Sequence, residues 1–332
     1  MHTAEPRRPG PGQDAVRLPE TSRSGNRAAG RRRTLRHALR AIAALLVTGS
    51  VCVAATGLLT RPEPLAGRRD VEAVSGDPAG RSHTHWRQVS PHRVERLRVK
   101  VLEALPHDPK SFTQGLEMAG GTLYEGTGLP GQSSVRSGAP GKPPMVHTSL
   151  PAPLFGEGIT LLGRTLWQLT WRDRIAIERD ATTLRELRRV PYPDEGWGIC
   201  FDRGRRQLVT SDGSARLAFR DPRTLAKTGE VTVTEDGRPV TRVNELECAD
   251  HAVYANVLPT ERIVRIDAVT GAVTASIDAS GLLHAGELVP GSTLNGIAAV
   301  PGTDHFLLTG KFWPKMFRVA LVPAQPPSRT AR

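Results

Sequence analysis

The segment Phe112-Thr113-Gln114-Gly115-Leu116 returns in altered form four more times along the chain. The copies are Phe155-Gly156-Glu157-Gly158-Ile159, Glu195-Gly196-Trp197-Gly198-Ile199, Val243-Asn244-Glu245-Leu246-Glu247 and Thr293-Leu294-Asn295-Gly296-Ile297. Neighbouring copies lie roughly 40 to 50 residues apart, which is the period of one β-propeller blade. The first strand of every blade lines the central channel, so the copies must converge on one place. The period therefore predicts an all-β chain folded as a five-bladed β-propeller, and predicts where its site lies.

The third repeat displays the unit best. Strands are expected at Trp197 to Asp202, Gln207 to Ser211, Arg216 to Arg220 and Glu230 to Thr234. Between them stand Asp202-Arg203-Gly204, Asp212-Gly213 and Asp221-Pro222, all residues that favour turns. The fourth repeat matches with Leu246 to Ala249, Ala252 to Val257, Arg262 to Asp267 and Ala272 to Ile277. The last repeat offers only Gly296 to Val300, His305 to Leu308 and Met316 to Leu321, while Val99 to Leu105 has no blade of its own. Placing that early strand on the outer edge of the last blade closes the ring and covers two exposed edges. The propeller domain is thus expected over 97–322, with a disordered tail over 323–332.

Before it, residues 1–40 form a basic tail, with ten arginines against Glu5, Asp14 and Glu20, which supplies +7 of the chain's +12. The remaining +5 is spread over nearly three hundred residues with no dense basic stripe, which argues against nucleic-acid binding. Ala41 to Thr60 carries no charge and is long enough to cross a bilayer as a helix. With the arginines preceding it, the domain is expected outside the cytoplasm, held by an uncleaved anchor. A cleaved signal peptide is the competing reading, given the small residues around Cys52-Val53-Ala54-Ala55. Residues 61–96 read as a flexible stalk, and its His83, His85 and His92 lack a scaffold for a metal. Cys200 and Cys248 hold the same offset in the third and fourth copies. An oxidising compartment permits a disulfide, but two buried thiols are the favoured expectation.

The copies differ at one inward letter: Gln114, Glu157, Trp197, Asn244 and Asn295. One carboxylate among amides and rings is unlike a divalent-cation site, which gathers several carboxylates. It suits a pocket that stacks a neutral substrate and moves a proton. Glu245 and Glu247 read as structural, Asp212 as a turn residue and His107 as a hydrogen-bonded residue at a strand end.

Several further stretches stand in order with the copies. They are Pro106-His107-Asp108-Pro109, Tyr124-Glu125-Gly126-Thr127-Gly128, Ser133-Ser134-Val135-Arg136, Leu169-Thr170-Trp171, Ser211-Asp212-Gly213-Ser214 and Thr309-Gly310-Lys311. Together they resemble the plant-type glutaminyl-peptide cyclotransferases, five-bladed propellers with a bacterial branch, over essentially all of residues 106–320. The resemblance implies an enzyme that converts an N-terminal glutamine of a peptide to pyroglutamate and releases ammonia, without zinc or another cofactor. It implies Glu157 as the essential glutamate. It also implies a substrate pocket drawn from Phe112, Gln114, Phe155, Trp171, Trp197, Asn244 and Lys311. Lys311, Asn244 or Gln114 is expected to donate hydrogen bonds to the developing oxyanion. Partners would be peptides or proteins beginning with glutamine, and the membrane through the anchor; the enzyme is expected to be a monomer. Leu258 stands where the family usually has a tryptophan, so stacking should weaken by about 0.5 to 1.5 kcal/mol. The alternative reading is a non-catalytic extracytoplasmic propeller that binds peptides or envelope components.

Overall fold

The structure, a computed structural model, describes residues 93–324. The expected basic tail, the apolar run 41–60, nearly all of the stalk and most of the C-terminal tail lie outside the described residues. Within them the chain is almost entirely strand, with one short 3-10 turn at Ala285–Glu287.

Five four-stranded antiparallel units follow one another. Their inner strands are Thr113–Ala119, Gly156–Leu162, Ile199–Asp202, Val243–Ala249 and Thr293–Ala299. Each inner strand touches the next, and the fifth returns to touch the first, so the arrangement is a propeller-like ring. The apolar core divides accordingly. One cluster joins Val135 of the first unit to Ile159 and Leu166 of the second, and another joins Trp167 and Leu169 to Ile199 and Leu208 of the third. Alternation explains this, since every second side chain of a strand faces a neighbouring unit. Strands Gln207–Ser211, Arg216–Arg220 and Ala252–Val257 lie where alternation predicts them. Trp197 does not begin its strand, which starts at Ile199.

The N-terminal strand, Glu95–Pro106, is the outer strand of the fifth unit, pairing antiparallel with Lys315–Pro323. It also does something the repeat alone does not reveal. Its first residues, Glu95 to Arg98, pair in parallel with Ala275 to Asp278 of the fourth unit. The fourth and fifth units therefore merge into one eight-stranded sheet.

Turns repeat with the units. Asp180, Asp221 and Asp267 each accept, through Oδ1, the backbone N–H two and three residues on and the hydroxyl of a following threonine. Such aspartate turns compete well with strand and end it sharply.

Cys200 and Cys248 are bonded, with Cα atoms 5.4 Å apart. This corrects the expectation of two free thiols: the two residues lie on adjacent inner strands, Ile199–Asp202 and Val243–Ala249, close enough to bond. Closing a loop of 48 residues, the bond contributes about 4 kcal/mol on a chain-entropy basis.

Candidate active site

Four of the five copies place a bulge in the inner strand; the third, Ile199–Asp202, pairs without one. Register breaks between Thr113 and Gly115, between Gly156 and Ile159, between Val243 and Leu246, and between Leu294 and Ile297. A bulge leaves its extra residue unpaired and re-aims the side chain. The residues so released are Gln114, Glu157, Asn244 and Asn295, four of the repeat's five variable letters; the fifth, Trp197, lies just before its strand. The following glycines let the strands crowd together. A Cβ on Gly115 would lie 2.5 Å from the Ile159 nitrogen, one on Gly158 2.6 Å from the Trp197 carbonyl, and one on Gly198 2.1 Å from the Asn244 carbonyl. The bulge sets the fourth copy one residue earlier than the segment Val243 to Glu247, so that Asn244 matches Glu157 and Glu245 takes the glycine position. Its carboxylate accepts the backbone N–H of Leu116 and of Ile297, at 3.2 and 2.9 Å, tying the first and fifth units across the axis.

The four released side chains form one directed chain. Asn244 Nδ2 donates to Asn295 Oδ1 at 3.0 Å, and Asn295 Nδ2 donates to Gln114 Oε1 at 3.2 Å. Gln114 Nε2 then donates to Glu157 Oε1 at 3.0 Å. Glu157 is 4% exposed and has no cation within 4.0 Å among the described residues. Burial holds its carboxyl well above the usual carboxylate range; Lys311 works against this shift and the Glu195 charge adds to it.

Aromatic rings wall the same place. Phe112 and Phe155 meet edge to face with centroids 6.0 Å apart, and Phe155 lies 5.5 Å from Trp171. The ammonium of Lys311 stands over the Phe112 ring, 4.7 Å from its centroid. Burial pushes this lysine down to about 8, against the pull of Glu157. Trp171 and Trp197 both turn their indole N–H toward Glu195 Oε2, at 3.1 and 3.4 Å. Arg172 bonds the other oxygen at 2.8 Å and lies over the Trp171 ring.

The eight predicted site residues thus fall in two groups, the chain of Asn244, Gln114 and Glu157 and the wall of Phe112, Phe155, Trp171, Trp197 and Lys311, coupled by the charges of Lys311 and Glu195 on Glu157. Two participants, Asn295 and Glu195, stand outside the predicted set although both lie within the repeat. Asn244 is oriented by its neighbour. Its amide nitrogen faces Asn295, and its carbonyl Oδ1 is buried with no hydrogen-bond partner among the described residues. Asn295 controls that orientation, because its Nδ2 also donates to the Thr113 backbone carbonyl at 2.9 Å.

The opposite ends of the inner strands border a cavity of about 500 Å³ that includes Glu117, Glu247, Asp202 and Arg203. Burial raises Glu117 and Glu247, and for Glu247 the charges of Glu117 and Glu245 add to the shift. No group of three or more His, Cys, Asp or Glu that could hold a metal occurs among the described residues.

Comparison with known proteins agrees with this geometry. The glutamine cyclotransferase family profile matches residues 77–321. A glutaminyl-peptide cyclotransferase of Arabidopsis thaliana is 37% identical over 238 residues, 69% of this chain and 72% of the relative. The crystal structure of Myxococcus xanthus glutaminyl cyclase superposes with a TM-score of 0.66 at 36% identity, covering 70% of this chain and all of that one. A ring of inward bulges, one lone carboxylate and matches of this extent lead to one conclusion: the chain belongs to the glutamine cyclotransferase family.

Proposed function

We propose that the protein is a glutaminyl-peptide cyclotransferase, an acyl-transferring enzyme built on a five-bladed β-propeller. It closes the N-terminal glutamine of a peptide or protein to pyroglutamate and releases ammonia. The observation that carries the reading is Glu157: buried, without a close counterion, oriented by Gln114 and walled by Phe155.

The reaction forms a bond from the α-nitrogen to the γ-carboxamide carbon and breaks the bond from that carbon to the amide nitrogen. The attacking nitrogen must lose a proton and the leaving nitrogen must gain one. A single carboxyl whose affinity for protons is raised toward neutrality does both. An α-amine titrates near pH 8, so a neutral fraction is present at neutral pH. The attack is intramolecular, so the rings of Phe112, Phe155, Trp171 and Trp197 contribute mainly by holding the compact conformer. Asn244 Oδ1 serves as an acceptor for a substrate N–H. The cation of Lys311 and the remaining N–H of Gln114 face the developing oxyanion.

The domain is placed outside the cytoplasm, tethered through residues 41–60. The Cys200–Cys248 bond supports an oxidising compartment. Incubation of the protein with peptides beginning in glutamine should release ammonia stoichiometrically with pyroglutamate. Peptide binding without ammonia release, in parent and Glu157→Gln alike, would establish the non-catalytic alternative.

A further inference from the structure

Asn295 is fully buried and touches neither Glu157 nor the aromatic wall through any hydrogen bond or ring contact among the described residues. Its position nevertheless decides how its neighbours point. The Thr113 carbonyl can only accept, so the group facing it at 2.9 Å must be the Asn295 NH2. Its other N–H then meets Gln114, which must answer with Oε1 at 3.2 Å. Gln114 is left with only its NH2 to turn toward Glu157, 3.0 Å away. On the other side, Asn295 Oδ1 must accept from Asn244 at 3.0 Å. A side-chain amide alone could turn either way, since its two ends are nearly the same shape. One backbone carbonyl removes the choice for three amides at once.

We propose that Asn295 is a positioning residue that sets the direction of this chain, so that Gln114 always presents an N–H to the Glu157 carboxyl. A reversed Gln114 would aim a carbonyl oxygen at that carboxyl and could be satisfied only by its protonated form. The direction therefore holds Glu157 ready to take a proton. Lys311 and Glu195 are the charged groups that also act on Glu157, and neither touches Asn295.

The proposal rests on the cyclotransferase reading for its consequence in turnover, but its test does not. The titration of Glu157 is followed by pH-dependent infrared difference spectra of the full chain without substrate, the band being assigned by its loss in Glu157→Gln. Asn295→Asp keeps shape and removes both donated bonds, and Asn295→Ser removes the bond to Gln114 without adding charge. Each is expected to move the Glu157 midpoint upward by about one pH unit or more, the worth of one hydrogen bond to a charged group. Gln114→Met should do the same, and the Asn295→Ser/Gln114→Met double variant should shift no further than Gln114→Met alone. In turnover, the variants should lose kcat about tenfold or more with KM little changed, and the acid limb of the kcat profile should follow the infrared midpoint.

An unshifted midpoint in folded Asn295→Ser overturns the proposal, as does a shift that persists in full in the Gln114→Met background. A parent protein that titrates as expected but releases no ammonia would sink the enzyme reading and leave the positioning role standing.

Discussion

Glu125 and Glu157 are both buried carboxylates close to the ring's inner strands, and their surroundings push them in opposite directions. Glu125 is enclosed by cations. His107 Nε2 lies 3.1 Å from its Oε1, while Arg136 donates to Oε2 from Nε and Nη2 at 2.9 and 2.6 Å. Thr113 adds a hydroxyl donor at 2.8 Å. Burial alone would raise Glu125, but the His107 and Arg136 contacts overcome it and hold the carboxyl down at about 2. Glu157 receives one amide N–H, has no cation within 4.0 Å among the described residues, and is raised. Burial is common to both; the counterions decide. One carboxylate is a permanent charge that fastens the exit of the N-terminal strand to the first unit. The other keeps a raised affinity for a proton.

The largest effect should come from breaking the uncompensated side. Glu157→Gln should lower kcat by a factor of about 100 to 10,000 in the ammonia assay, while the thermal midpoint falls little. The compensated side should respond in the reverse manner. Glu125→Gln leaves Arg136 only the more exposed Asp108 and His107 no carboxylate, and should cost about 3 kcal/mol of stability in denaturant titrations, with activity per folded molecule largely kept. An Arg136 that retains full stability without its partner would break the contrast.

The same contrast predicts a pH window. His107 donates from Nδ1 to the Trp313 carbonyl at 2.7 Å and from Nε2 to the ionised Glu125, so it is held doubly protonated. Its burial favours the neutral ring, but the Glu125 and Trp313 contacts outweigh it and raise it above its ordinary 6.5. That contribution is full below pH 6.5 and fades as pH rises through the folded value. Glu125, lowered from 4.5 to about 2, contributes fully above 4.5 and fades as pH falls toward 2. Together they stabilise the fold most between pH 4.5 and 6.5, which unfolding midpoints across pH will show in parent but not in Glu125→Gln.

A smaller effect tests the long-range cation. Lys311 lowers the proton affinity of Glu157, so Lys311→Met should move the acid limb of the kcat profile upward and remove any limb near pH 8. The smallest concerns the wall. Leu258 directly follows the strand Ala252–Val257, and its N–H bonds the Arg242 carbonyl just before the Asn244 strand. If the missing ring belongs over bound glutamine, Leu258→Trp should lower KM about two- to tenfold, reflecting about 0.5 to 1.5 kcal/mol of stacking.

Much of this was legible in the residues because the repeat reports spacing and inward letter together. Gln114, Glu157 and Asn244 could be placed at one site for that reason, and the N-terminal strand could be assigned by counting strands. The direction of hydrogen bonds could not. An amide offers both groups, and only the Thr113 carbonyl, reached through Asn295, fixes that Asn244 turns its NH2 toward Asn295. Glu195 is hidden differently: Phe112 and Phe155 open the two preceding copies, so the repeat marks no charge there, and only the two indole N–H groups that point at it show its place. The parallel pairing of Glu95 to Arg98 left no mark either, since a strand's letters do not name a partner in the neighbouring unit.

That doubly paired strand has a mechanical consequence. A pull applied to the chain ahead of Glu95 enters the fold along a strand gripped from both sides, by Ala275 to Asp278 and by the strand ending at Pro323. A load along the strand axis meets those hydrogen bonds in shear, and they share it instead of parting one at a time. Tension is delivered to the outer rim of the fourth and fifth units, while Glu157 sits on an inner strand of the second.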